Sequence, residues 1–139
     1  IFTGQFQVAN AGQTDAVTLL GALKSTMCGA GAAAVPTVFN CQAVKIDVST
    51  AGTLAGASAA TPVNATTGTW NAGFGSNYAC AKPGTIVIVT AAVQFPTLFN
   101  LMGISTKKFT TGAGAGSSLL TSTAVFRTEP YQITGASPC

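Results

Sequence analysis

Thr85-Ile-Val-Ile-Val-Thr-Ala-Ala-Val-Gln-Phe95 is the stretch whose reading decides the fold class. Side chains alternate across a sheet, so the unbroken β-branched run Ile86, Val87, Ile88 and Val89 is the pattern of a central strand covered on both faces. Pro83-Gly84 opens the run as a turn, and Pro96 ends it because proline has no N–H to give a strand ladder. Working outward, Ser118 to Arg127 reads as a second strand after the Gly112-Ala-Gly-Ala-Gly116 loop, with Leu120, Ala124 and Phe126 on one face. The two strands are expected to pair antiparallel. Upstream, Ala43 to Ser49 alternates, with Val44, Ile46 and Val48 on the buried face of a half-covered strand. Lys45 and Asp47 on its other face are expected to form a solvated pair.

Before these strands, residues 15–28 read as a helix. Thr14 or Asp15 can cap it, Ala16, Leu20, Leu23 and Met27 recur at helical spacing, and Gly29 stops it. Thr50 to Ala79 is rich in Ala, Gly, Thr and Asn with weak periodicity, which predicts long loops and at most one short strand near Thr69-Trp70. The expected fold class is therefore α+β, an N-terminal helix packed on an antiparallel β-sheet, in one domain spanning residues 1–139.

Composition narrows the function classes. The chain is 47% hydrophobic and 6% charged, with a formal net charge of +3, against roughly 25% charged residues in average soluble proteins. A polar, nearly uncharged surface has few charges to desolvate and suits packing against other subunits. The cations are scattered apart from Lys107-Lys108, so no basic stripe exists for a phosphate backbone, and nucleic-acid binding is not expected. The most apolar run, Ile86 to Val93, falls short of the ~20 residues that span a bilayer. Ile1 to Asn10 lacks the charged and apolar regions of a signal peptide.

Cys28, Cys41, Cys80 and Cys139 show no C-x-x-C spacing, and the chain has no histidine to complete a metal site. An even cysteine count in so charge-poor a chain predicts two disulfides and an oxidising, extracytoplasmic compartment; the alternative is four buried thiols. Three pairings are possible. Cys28–Cys41 is preferred as a short local loop, for which chain-entropy models give roughly 3 kcal/mol, leaving Cys80–Cys139 to anchor the tail.

Catalytic chemistry is poorly supplied. Asp15, Asp47 and Glu129 are the only side-chain carboxylates, and no serine sits in G-x-S-x-G or beside a convincing base. Gly112 to Gly116 departs from a phosphate-binding loop, because Ser117 occupies the last glycine position and no strand-to-helix context surrounds it. The chain is expected to be no enzyme and to take no metal or cofactor. Two surfaces are candidate binding sites. Leu98, Phe99, Leu101 and Met102 cluster in the connection after the central strand and suit a partner contact, with simple coverage of the sheet as the alternative. Trp70, Phe74 and Tyr78 recur every four residues and suit either a glycan-stacking platform or core packing. Asn64-Ala-Thr66 matches a glycosylation acceptor, a pattern that arises readily by chance in a Thr-rich chain.

Gly84-Thr-Ile-Val-Ile-Val89, Phe95-Pro96 and Leu119-Leu-Thr-Ser-Thr-Ala-Val-Phe-Arg-Thr-Glu-Pro-Tyr131 resemble the end of TadE/TadG-like minor pilins. The ending from Ala124 to Tyr131 is the most specific part. Thr3-Gly4-Gln5, Cys28 and Cys41-Gln-Ala-Val-Lys-Ile-Asp-Val48 are similar to the family's helix tail, two cysteines and first strand. The likeness spans most of the chain but stops between Thr50 and Ala79. The chain also departs from the family in Val93-Gln-Phe-Pro96, which stands for an aromatic-rich strand motif, and in the apolar loop after it. The resemblance implies a pilin-like fold and a preceding transmembrane helix cleaved by a prepilin peptidase, with residues 1–12, and Ile1 to Val8 above all, as its stub. It further implies a non-catalytic pseudopilin in tight-adherence (type IV-like) pilus biogenesis. Its partners would be other pilus subunits or assembly proteins, and it would be anchored in the inner membrane. The rival expectation is a secreted adhesin or carbohydrate-binding module.

Overall fold

A computed structural model describes residues 1–29, 39–95, 109 and 115–130. Asp15 initiates the main helix, α2 (Ala16–Cys28): its carboxylate accepts the Thr18 backbone N–H at 2.7 Å and the Thr18 hydroxyl at 2.6 Å. These bonds hold the Asp15 carboxyl below its usual pKa, the Thr18 hydroxyl contributing most. Gly29 ends the helix at φ 69°, a backbone state that glycine adopts without a Cβ clash. A short helix, α1 (Gln5–Ala9), precedes it.

The sheet has three strands, β1 (Lys45–Ala51), β2 (Ile86–Phe95) and β3 (Ser118–Arg127), in the order β1-β2-β3 with both pairings antiparallel. Val48 lies opposite Val89, which lies opposite Ala124. The fold is thus α+β, a helix with a three-stranded antiparallel sheet. β1 begins and ends two residues later than expected, because Cys41–Ala43 forms a turn of 3-10 helix whose first residue is capped by Asn40, its side chain accepting the Gln42 N–H at 3.0 Å.

On one sheet face Val44, Ile46, Val48, Val87 and Val93 pack with Leu20 and Leu23 of α2, and Phe6 of α1 lies against this core. The helical stripe is buried over less of its length than expected. Leu19, Leu20 and Leu23 are buried, whereas Met27 is 49% exposed in the last turn. At about 100° per residue Met27 falls on the same stripe as Leu19, Leu20 and Leu23, so its exposure comes from its place at the end of α2, where it borders an apolar depression. On the opposite face Ile88, Thr90 and Ala92 are buried as well, so β2 is covered on both sides, as its β-branched run predicts. Here the segment between β1 and β2 folds back over the sheet. It contributes buried Val63 and Phe74 and one isolated antiparallel bridge, Val63 to Trp70, where a short strand was expected.

One expectation is corrected. Lys45 and Asp47 are not a solvated pair: Asp47 is 7% exposed, and its carboxylate accepts the backbone N–H groups of Gly75 (2.8 Å) and Asn77 (3.3 Å). The sequence pattern shows which face Asp47 occupies but not the loop, 28 to 30 residues away, that covers it. In β3, Leu120, Ala124 and Phe126 share one face as expected, and the strand is exposed from Leu120 through Val125. Only Phe126 of the three reaches the core, as a partly buried neighbour. β3 is an edge strand of the sheet.

Candidate functional site

Lys45 and Asp47 place the first candidate site on the loop-covered face of β1. The Gly75 amide bound to Asp47 sits in a backbone state of φ +91°, and a Cβ there would come within 3.1 Å of the Lys45 side chain. Glycine is required both for the left-handed conformation and for this approach. With the loop so pinned, the Lys45 ammonium stands over the Trp70 ring at 4.8 Å, Phe74 stacks on Trp70 at 5.9 Å and 5°, and Phe109 leans against it at 5.0 Å. Phe74 and Phe109 are themselves buried.

This arrangement brings two of the three candidate stacking residues together and separates the third. Tyr78 packs with Phe6 at 6.1 Å, beside the helix-side core, because residue 78 bridges to Val48 along the β1 edge while Trp70 crosses the sheet face. Trp70 already has protein partners in Phe74, Phe109 and Lys45, which use ring surface that a sugar would need.

The second feature is an apolar depression of about 350 Å³ between the end of α2 and the sheet, lined by Met27, Phe39, Val44, Ile46, Val93 and Leu120 among others. Cys28 and Cys41 join across its wall in a disulfide with Cα atoms 5.8 Å apart. Among the described residues its lining includes no charged side chain, so these residues offer shape and apolar contact rather than acid–base chemistry. The sequence gives no signal for it, since it arises from Met27 and Leu120 being left uncovered by the elements around them.

The remaining candidates are placed as follows. Cys80 is not a free thiol, and its expected partner Cys139 lies outside the described residues. Leu98, Phe99, Leu101 and Met102 lie outside them too. Asn64, Ala65 and Thr66 are exposed on a turn in which the Asn64 side chain accepts the Thr66 and Thr67 N–H groups. Among the described residues no three His, Cys, Asp or Glu side chains gather into a metal-binding group, and no helix is long and apolar enough to cross a membrane.

Compared with known proteins, the chain matches no protein-family model, no curated protein and no solved structure.

The geometry also shows what the Ala124–Tyr131 ending does as far as Pro130. Phe126 meets Phe2 edge-on at 6.0 Å, and Arg127 Nε donates to the Gly84 carbonyl at 3.0 Å. The buried Thr128 hydroxyl donates to the Lys82 carbonyl at 2.6 Å, its N–H donates to Thr85, and the Glu129 N–H donates to the Phe2 carbonyl at 3.1 Å. The end of β3 therefore clamps two things at once, the turn that opens β2 and the N-terminal segment.

Proposed function

We propose that the chain is the extracytoplasmic domain of a non-catalytic, TadE/TadG-like minor pilin, which assembles with other subunits in tight-adherence pilus biogenesis. The observation that carries this reading is the clamp just described. The residues with the most specific likeness to that family are those that hold the N-terminal segment on the sheet, through Phe126 on Phe2 and Glu129 on the Phe2 carbonyl. A subunit tethered by a helix ahead of its globular domain needs such a junction, because force and orientation pass through it.

The low charge, the Cys28–Cys41 disulfide and the helix-on-sheet architecture support the same reading. A second disulfide, Cys80–Cys139, belongs to the proposal, as do partner contacts at Leu98, Phe99, Leu101 and Met102 and an inner-membrane anchor. The coding sequence upstream of Ile1 tests the reading directly. It is expected to encode a prepilin cleavage site followed by ~20 apolar residues, and an upstream region with neither would contradict it.

A further inference from the structure

A β-sheet ends in two edges, each a row of backbone groups able to pair with another strand. Here the chain treats them differently. The β1 edge is closed by residues 77–79: Val48 N–H donates to Asn77 at 3.0 Å, Ala79 N–H donates to Val48 at 2.7 Å, and the Asp47 carboxylate ties down the same segment. The β3 edge has no such cover among the described residues. β3 pairs with β2 over ten consecutive positions without a bulge, contains no proline, and carries no charge before Arg127. Its side chains from Leu120 to Val125 are exposed on both faces, with Leu120 at 45% and Val125 at 48%. Lysines, prolines and bulges are the usual means of keeping an edge from pairing, and this edge has none of them before its last residue.

We propose that β3 is a self-association edge, which pairs antiparallel with β3 of a second copy of this chain and joins the two three-stranded sheets into one. A symmetric antiparallel pair places its two-fold axis normal to the sheet, so residues of the same face lie opposite one another. With the axis at Thr123, Leu120 lies opposite Phe126 and Thr121 opposite Val125. With the axis at Ser122, Leu120 lies opposite Ala124 and Leu119 opposite Val125. Either register gives both exposed apolar residues a cross-strand neighbour and opposes no two charges. A second copy is the occupant that an uncharged strand suits best, since β3 offers nothing to steer a charged foreign strand and is complementary to itself. An edge-only contact is small for a protein interface, so the dimer is reversible and depends on concentration. The pairing rests on the sheet alone and stands or fails separately from the pilus reading.

Sedimentation velocity on the 139-residue chain, from low-micromolar to near-millimolar concentration, tests it alongside the double variant Ser122→Lys/Ala124→Lys. Both positions are exposed, and circular dichroism checks that the variant is folded. With the axis at Thr123 the lysine at 122 opposes the lysine at 124 of the second copy, and with the axis at Ser122 it opposes its own counterpart, so like charges meet in either register and the dimer dissociation constant is expected to rise by roughly tenfold or more. Ser122→Gln/Ala124→Gln should retain the dimer, and β3 amides of the native chain should exchange more slowly as concentration rises. A chain that stays monomeric throughout, or a dimer indifferent to the lysine pair, would overturn the proposal.

Discussion

Asp47 is one of three carboxylate side chains in the chain, and it binds backbone rather than a cation. Its two amide partners come from the loop that carries Phe74 over the sheet, so the carboxylate joins β1 to everything packed on that face. Asp47→Ala would leave the Gly75 and Asn77 N–H groups without an acceptor in a partly buried site, at a cost of about 1–3 kcal/mol. Urea unfolding monitored by tryptophan fluorescence checks this, and the variant should also loosen Trp70 from its place beside Lys45. No loss of stability would mean that the loop is held by its aromatic contacts alone.

The elements were legible in the sequence wherever local pattern decides them. Asp15 and Gly29 mark the ends of α2 because capping chemistry is local, and the β-branched run marks β2 because burial on both faces demands it. What the sequence could not show depends on distant partners. β3 alternates like a half-buried strand, yet Leu120, Ala124 and Val125 are exposed, and pattern alone does not reveal which part of a sheet its neighbours cover. The candidate sites divide in the same way. Spacing grouped Trp70, Phe74 and Tyr78, but residue 78 follows the β1 edge and leaves the other two stacked across the sheet face. At this scale the Cys28–Cys41 bond was expected from its short loop and is present. It fastens the end of α2 to the turn before β1. Cys28→Ser/Cys41→Ser should therefore lower stability by roughly 3 kcal/mol, as the closed loop is released in the unfolded chain. Thermal unfolding with and without reductant measures it, and an unchanged transition would contradict the assigned role.

The described residues combine a tightly covered central strand, one closed edge, one edge they leave open, an apolar depression beside a disulfide, and a clamp from the end of β3 on the N-terminal segment. These features suit the proposed role of a subunit that is held at one end and packs with others at its surface. The most direct measurement is affinity purification of the native-length protein from the cell envelope of its own host after mild cross-linking, with the recovered proteins identified by mass spectrometry. Co-enrichment of pilin-like subunits and their assembly proteins is the result the proposed function predicts. Recovery of the protein from the envelope with no pilin-like subunit attached would contradict it.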